Sequence, residues 1–182
     1  MKSSSLGLEK FDLGDKDKSL NNDDGDVASM MDDEDSGRAI RCVLFKLDTE
    51  LYGLDVQKVR EVLKVGEIRE VPGSQYDVLG IINVRGVIVT VVDVRQSFKL
   101  SPAEINEFSR IIIIELTVDR VVGLLVDVVM EVRDIPESKI EPASSQSLDD
   151  NVKYIQGIAH VYDNVIILVD ADHLFKDSDW NG

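Results

Sequence analysis

The sequence predicts an all-β fold made of two similar five-stranded units. The first observation is that the chain from Arg41 onward consists of short β-branched runs separated by turn residues, which is typical of β-sheet proteins. The second is an internal repeat, in which a shift of seventy residues places residues 53–56 on residues 123–126. A repeat of this length indicates two similar structural units.

Paired glycine, glutamate, proline and aspartate residues support the repeat best, because valine and isoleucine match by chance in such a chain. The repeats span roughly residues 41–98 and 111–175, and the second copy holds a seven-residue insertion. The matched pairs are Val59 and Val129, Glu61 and Glu131, Pro72 and Pro142, Gly80 and Gly157, Asp93 and Asp170, and Phe98 and Phe175.

Five strands are predicted in each copy. They are residues 41–48, 51–55, 58–64, 78–84 and 87–93 in the first copy, and 111–118, 121–126, 128–133, 155–161 and 165–170 in the second. The four isoleucines at 111–114 do not alternate with polar residues, so that strand is expected to be buried on both faces. Hairpin turns are predicted at residues 48–50 and 118–120, and later at Arg85-Gly86 and Asp163-Asn164.

Short helices are expected at the junction of the copies and at the C-terminus. Residues 101–104 form a capping box with proline at the first helical position. Residues 95–98 and 171–175 are expected to be helical as well, with Asp93 and Asp170 as their caps. A long loop that holds the insertion is predicted over residues 134–154.

Five short strands suit a small closed barrel, which removes the exposed strand edges that promote aggregation. A barrel of roughly 65 residues would have a marginal core on its own. The two barrels are therefore expected to share apolar surface, and their junction is the first place to look for a binding groove.

Composition divides the chain into three parts. Residues 1–37 hold eleven acidic residues and four lysines with few large apolar groups, which predicts a disordered acidic tail. Residues 38–176 are expected to form the folded domain, and residues 177–182 a short C-terminal tail.

The charge excludes several classes of partner. A net charge of −15 without a basic stripe argues against nucleic acid and against anionic membrane surfaces. No apolar run reaches the ~20 residues that span a bilayer, and the N-terminus lacks a secretory signal. A cytoplasmic protein is predicted. Cys42 is the only cysteine, and its position in an apolar strand predicts a buried thiol.

Catalytic motifs are missing from the sequence. It has no glycine-rich phosphate loop, and His160 and His173 with their neighbouring aspartates are too few ligands for a metal site. Glu61 and Glu131 would need different environments to act as a glycosidase pair, whereas a repeat favours similar ones. We therefore expect no enzyme activity, no cofactor and no metal.

Function is expected where the two copies differ. The clearest place is residues 83–86, Asn-Val-Arg-Gly, which match His160-Val161-Tyr162-Asp163 in the second copy. Arg85 before a turn glycine would project a rigid, always-charged guanidinium, and Gly86 has a simple backbone role. An ordinary solvated turn residue is the alternative interpretation of Arg85.

These residues carry a resemblance to the CheW family of bacterial chemotaxis coupling proteins. The strongest likeness is residues 80–86, followed by residues 92–95 and Phe98. The opening strands, residues 45–47, 52–56 and 59–62, and the later residues 123–127 and 167–170 are similar to the family too. The likeness covers about residues 40–176, and several motifs in the right order make it specific.

The resemblance implies two five-stranded barrels related by a pseudo-twofold axis, with a groove between them for the helical hairpin of a chemoreceptor tip. It implies a non-catalytic adaptor that joins chemoreceptors to the histidine kinase CheA, through the regulatory domain of the kinase. It assigns receptor binding to Arg85, Asn83, Gly86, Val59 and Glu61. Kinase contacts in the family follow no short motif, so no kinase-binding residue is assigned.

Other functions stay open at the level of sequence. The same module occurs in the regulatory domain of CheA and in coupling proteins with a receiver domain. The chain would also suit an array for surface motility or a second messenger, and a barrel that binds a small metabolite between its halves is a further alternative.

Replacing Arg85 is expected to weaken receptor binding while the thermal midpoint barely moves.

Overall fold

Short strands joined by tight turns make up most of the described chain. The computed structural model describes residues 37–95, 97–102, 104–143 and 154–176. The strands are β1 (Ala39–Leu47), β2 (Glu50–Asp55), β3 (Val59–Lys64), β4 (Val78–Val84), β5 (Val87–Val92), β6 (Arg110–Thr117), β7 (Arg120–Val126), β8 (Val128–Pro136), β9 (Ile140–Pro142), β10 (Ile155–Val161) and β11 (Asn164–Val169). Two 3₁₀ turns, η1 (Val56–Lys58) and η2 (Glu137–Lys139), and a one-turn helix, α1 (Ala171–Leu174), lie between or after them.

The strands form two sheets, so the all-β prediction is confirmed. A six-stranded sheet has the order β8-β1-β2-β11-β10-β9, and a five-stranded sheet has the order β3-β6-β7-β5-β4. Each sheet takes strands from both copies of the repeat. The parallel pairs β2–β11 and β5–β7 are equivalent under the repeat. The two units are thus intertwined, because the copies exchange strands and neither copy forms a sheet alone.

The predicted strands all occur, with ends within three residues of the prediction. The long loop predicted over residues 134–154 is wrong in its first part. There β8 continues to Pro136, η2 follows, and β9 pairs with β10 so that Glu141 lies opposite Ile158. The remainder of that loop, the acidic tail over residues 1–36 and the C-terminal tail fall outside the described residues.

The helix predictions have a mixed outcome. The C-terminal helix is confirmed, and Asp170 Oδ1 accepts a hydrogen bond from the His173 backbone N–H at 3.2 Å. The helices predicted at residues 95–98 and 101–104 are wrong, because the described residues of both segments form turns and loop. Arg95 Nη1 donates to the Ser101 carbonyl at 2.9 Å, and this bond holds the segment as a loop. No helix in the described chain is long and apolar enough to cross a bilayer.

The buried apolar side chains of the described residues form three clusters. Fifteen of them form a central cluster shared by the two sheets, and each sheet encloses a smaller cluster of its own. Ile112 and Ile114 point to the central cluster, whereas Ile111 and Ile113 lie in the cluster of the five-stranded sheet. The prediction that this strand is buried on both faces is therefore confirmed, and the two units share apolar surface as expected.

An ion pair with a buried arginine lies where the chain passes between the sheets. Asp127 separates β7 from β8, and its Oδ1 pairs with Arg95 Nη2. Its Oδ2 accepts from the Asp48 backbone N–H at 2.7 Å, and its own N–H donates to the Lys46 carbonyl at 3.1 Å. The Arg95 side chain is only 5% exposed. The crossover is fixed by charge and by hydrogen bonds together, and sequence reasoning gave Asp127 no role.

One close backbone contact joins the two edges of the five-stranded sheet, and a similar contact lies between β9 and β10 of the six-stranded sheet. Arg69, which follows β3, exchanges two hydrogen bonds with Ile81 of β4 at 2.9 and 2.8 Å and so closes the five-stranded sheet into a barrel. Gly80 lies against this contact, where a Cβ atom would meet the Arg69 carbonyl oxygen at 2.3 Å. Its repeat partner Gly157 faces the Glu141 carbonyl in the same way, at 2.7 Å. The repeat of these glycines thus reflects barrel closure.

Replacing Gly80 with alanine tests this role. The added Cβ would clash with backbone at a φ of +152°, so we expect Gly80→Ala to lose at least about 2 kcal/mol of unfolding free energy. Gly66→Ala is the matched control, because a Cβ there meets nothing within 4 Å. Urea unfolding of both variants followed by circular dichroism measures the difference. Equal stability of the two would contradict the closure contact.

Cys42 is buried in the six-stranded sheet, as predicted. Its side chain is 1% exposed. Burial, followed by the negative charges of Asp55 and Asp134, raises the pKa of the thiol to about 12. The folded protein therefore keeps this proton at pH values where the unfolded chain, with a pKa near 9.0, releases it.

This pKa difference predicts a loss of stability at alkaline pH. Below about pH 9 the thiol has no effect on the pH dependence, and between pH 9 and 12 it should destabilise the fold by about 1.4 kcal/mol per pH unit. Cys42→Ala removes this slope and leaves all other titrations in place. The difference in unfolding free energy between the parent and Cys42→Ala at pH 8, 9.5 and 10.5 is the measurement. If the unfolding free energies of the parent and of Cys42→Ala change in parallel with pH, Cys42 keeps an ordinary pKa in the folded protein.

Candidate functional site

The turn between β4 and β5 presents Arg85 to solvent. Arg85 and Gly86 have φ values of 52° and 88°, which are typical of a two-residue type I′ turn. Asn83 Oδ1 accepts the Gly86 backbone N–H at 2.7 Å and braces the turn. Asn83 and Gly86 therefore build the turn, while the arginine side chain is left to project from it.

The matching turn of the second copy consists of Tyr162 and Asp163. Val161 pairs with Asn164, so Asn164 is the first residue of β11, and the predicted turn at Asp163-Asn164 is wrong by one residue. The positive φ of 55° occurs at Tyr162, at the position that Arg85 has in the first copy. Tyr162 is 90% exposed. The two turns thus present a cation and an aromatic ring from equivalent places.

Arg85 is fixed by Glu61, which lies on β3. Arg85 Nη1 and Glu61 Oε2 form an ion pair between the two edge strands of the five-stranded sheet. The Glu61 side chain is 7% exposed and that of Arg85 is 61% exposed. No described residue bonds the other carboxylate oxygen of Glu61. Because a buried carboxylate needs a partner, Glu61 holds the guanidinium in place at the surface.

A cavity of about 460 Å³ lies beside this ion pair. It is a gap in the barrel wall, lined by residues 63–67 after and within β3, by residues 82–85 at the end of β4, and by Ile111. Arg85, which pairs with Glu61, is among the lining residues, and the Arg69–Ile81 contact joins the sheet edges further along β4. A second cavity of about 210 Å³ shares Glu67, Ile82 and Asn83 with it.

The second copy has no equivalent arrangement in its described residues. Glu131 pairs with Arg133 on its own strand, and Tyr162 takes the place of the arginine. The three-residue strand β9 lies where the first copy makes only the Arg69–Ile81 contact. The oriented arginine thus belongs to the first copy, and the cavity beside it is lined by first-copy residues together with Ile111 of the second.

The remaining candidate residue, Val59, lies apart from the cavity. It is the first residue of β3 and packs against the central cluster. The structure thus brings Arg85, Glu61, Asn83 and Gly86 together around one turn, and Val59 supports the strand that carries Glu61. Sequence reasoning missed the cavity lining at residues 63–67 and Ile111. The stretch from Gly66 to Arg69, which has no strand pattern, was the available signal.

Comparison with known proteins gives a consistent result. A family model described as CheW-like domain matches residues 41–179. The chemotaxis protein CheW of Bacillus subtilis is 31% identical over 132 residues, covering 72% of this chain and 84% of that protein. The Klebsiella aerogenes protein of the same name is 29% identical over 134 residues, covering 74% and 80%. The crystal structure of the scaffolding protein TtCheW from Thermoanaerobacter tengcongensis matches with a TM-score of 0.69 and 38% identity, covering 76% of this chain and 93% of that one.

Two intertwined β-units with one braced arginine turn define a β-barrel scaffold module. The chain belongs to the CheW-like family. The resemblance inferred from its motifs is confirmed, as is its interpretation as a chemotaxis adaptor.

The Glu61–Arg85 ion pair changes the expected effect of replacing Arg85, because the thermal midpoint is no longer expected to stay the same. Arg85→Ala would leave Glu61 buried without its cation, so we expect a loss of about 1–3 kcal/mol in unfolding free energy. Adding Glu61→Gln to Arg85→Ala should restore most of it. Arg60→Ala is the control, since its pair with Glu115 is exposed and should contribute less than about 1 kcal/mol. If Arg85→Ala has the same midpoint urea concentration of unfolding as the parent protein, the pair does not stabilise Glu61.

Proposed function

We propose that the chain is a non-catalytic adaptor that couples chemoreceptor tips to the histidine kinase CheA, and that Arg85 is the centre of its receptor contact. Asn83 and Gly86 shape the turn, Glu61 orients the guanidinium, and Val59 positions β3. The regulatory domain of the kinase binds elsewhere on the barrels. The observation that carries the proposal is the Glu61–Arg85 pair at the mouth of a cavity, in a member of the CheW-like family.

The chemistry of the site suits a helical partner. An amphipathic helix binds a groove through apolar side chains spaced three, four and seven residues apart. The bond to Glu61 uses Nη1, and a guanidinium has further N–H donors. A partner carboxylate can therefore bond Arg85 while Glu61 keeps its own contact, and such charge-assisted bonds are strong and directional.

The metabolite-binding alternative has less support. It places a ligand between the two halves of the protein, where the central cluster of fifteen buried side chains lies. An array that serves surface motility or a second messenger would use the same contacts, so the identity of the receptor distinguishes it from a swimming array.

Calorimetric titration tests the receptor contact. The full chain is titrated with a dimeric receptor tip fragment and, separately, with the regulatory domain of CheA. We expect the Glu61→Gln/Arg85→Ala variant to bind the receptor fragment about 5- to 150-fold more weakly, because a charge-assisted bond is lost. Kinase binding should be unchanged.

Arg60→Ala is the matched control for this titration, since it removes a neighbouring exposed arginine. It should bind both partners like the parent. Parent-like receptor affinity of the double variant would show that Arg85 is an ordinary turn residue. If the double variant loses kinase affinity to the same extent as receptor affinity, the contact made by Arg85 is not specific to the receptor.

A further inference from the structure

Two like charges lie side by side where β6 begins. Lys64, the last residue of β3, is the cross-strand partner of Arg110, the first residue of β6. Cross-strand partners project from the same face of a sheet, and like charges in that arrangement are destabilising. No carboxylate of the described residues pairs with either side chain. Two adjacent cations therefore lack a counter-charge in that part of a chain whose net charge is −15.

These cations lie on the face of β3 opposite to Glu61. Val62 and its cross-strand partner Ile112 belong to the central cluster between the sheets. Because side chains alternate along a strand, Lys64 and Arg110 project from the same face as these two residues, whereas Glu61 projects from the other face. Lys64 is exposed and Arg110 is half-buried. The cation pair is thus distinct from the pair that orients Arg85.

The turn before β6 adds apolar surface beside the cations. Ile105 and Phe108 are 50% and 59% exposed. Asn106 braces the turn, because its Oδ1 accepts the Phe108 backbone N–H at 2.8 Å and its own N–H donates to Ser109 Oγ at 2.9 Å. Arg110 Nη1 donates to the Ser109 carbonyl at 2.8 Å, so the guanidinium lies against this turn. The result is an ordered patch that combines positive charge with apolar side chains.

We infer that residues 20–27 of the acidic N-terminal tail bind this patch within the same chain. The patch consists of two cations and two apolar side chains, Lys64, Arg110, Ile105 and Phe108. The tail segment has complementary groups, three aspartates between two apolar residues, Leu20, Asp23, Asp24, Asp26 and Val27. Carboxylates form charge-assisted hydrogen bonds with lysine and arginine, so the segment supplies the missing counter-charge. The inference does not depend on the proposed function, since it needs no partner protein.

The patch lies near the far end of β1 from the point where the tail joins the fold. The tail meets β1 at Ala39. Near the other end of this strand, the Lys46 carbonyl accepts the Asp127 backbone N–H at 3.1 Å. The residue before Asp127, Val126, is the cross-strand partner of Arg110. Seven strand residues at ~3.4 Å each place Lys46 about 24 Å from Ala39, and the tail must span about that distance.

This distance selects the segment of the tail that can bind. The acidic run at residues 32–35 lies four to seven residues before Ala39, so a fully extended chain spans only about 14–25 Å from there. Residues 23–26 lie 13 to 16 residues before Ala39, and a flexible chain of that length has a root-mean-square span of about 18–24 Å. A tether of this kind gives an effective concentration in the millimolar range. The tail thus acts as a tethered competitor for any acidic partner of the patch.

Paramagnetic NMR of the full chain tests the contact. A nitroxide label is attached at Asn21→Cys, beside the acidic segment. Cys42 stays unlabelled, because its side chain is 1% exposed and burial raises the pKa of its thiol to about 12. We expect the amide signals of Phe108 and Arg110 to lose intensity relative to the sample with the reduced label. The signal of Tyr162, on the turn of the second copy, should keep its intensity.

Neutralising equal numbers of charges provides the matched controls. One labelled variant loses the three aspartates of the proposed segment, D23N/D24N/D26N. Its control loses three aspartates of the run nearer the fold, D32N/D33N/D35N. The first variant should abolish the intensity loss at Phe108 and Arg110, whereas the second should retain it. Lys64→Gln/Arg110→Gln should abolish the loss as well, and it is expected to fold because it removes a like-charge pair.

The outcomes decide between this contact and others. An unchanged Arg110 signal in the labelled parent overturns the inference, and so does an equal intensity loss in the two tail variants. A loss that is stronger at Arg85 than at Arg110 would place the tail on a different surface and would contradict it too. Intensity loss in a mixture of spin-labelled chains and separately isotope-labelled chains would assign the contact to a second copy, which also overturns the inference.

Discussion

The exchange of strands between the two copies of the repeat is the constraint on which the structure depends. Each sheet is completed by strands from the other copy, and the central cluster includes side chains from both sheets. Neither copy can bury its apolar surface alone, so the two must fold together. A barrel of this size would otherwise have a marginal core. The duplication thus yields one cooperative unit, which suits a scaffold that must hold its surfaces at fixed positions.

Two ion pairs, each with one buried partner, have different consequences. Arg95 and Asp127 lie at the crossover between the sheets, where the arginine is 5% and the aspartate 30% exposed and each also bonds to a backbone group. Glu61 and Arg85 have the opposite asymmetry, with a buried acid and an exposed base. The first pair stabilises the crossover between the sheets, because the buried arginine needs the negative charge of Asp127. The second leaves a cation oriented at the surface, where a partner can reach it.

Departure from the internal symmetry creates the site. Both copies have a hairpin turn, a glutamate on the preceding edge strand and a glycine at the closure contact. In the second copy β9 extends the closure and the glutamate pairs within its strand. In the first copy the edges part after Lys64, and the glutamate reaches across to the arginine. The same backbone plan therefore gives a closing strand, β9, in one unit and a single closing contact with a cavity beside it in the other.

The sequence by itself determined the strands, the repeat, the buried thiol and the candidate turn. These depend on local signals, such as β-branched runs, Gly86 beside Arg85, and the unbroken isoleucines of β6. Only the tertiary structure decided that the copies exchange strands and that residues 140–142 form β9. It also placed Glu61 against Arg85 and opened the cavity beside them. These features arise from pairing between residues far apart in the chain, which local preference does not specify.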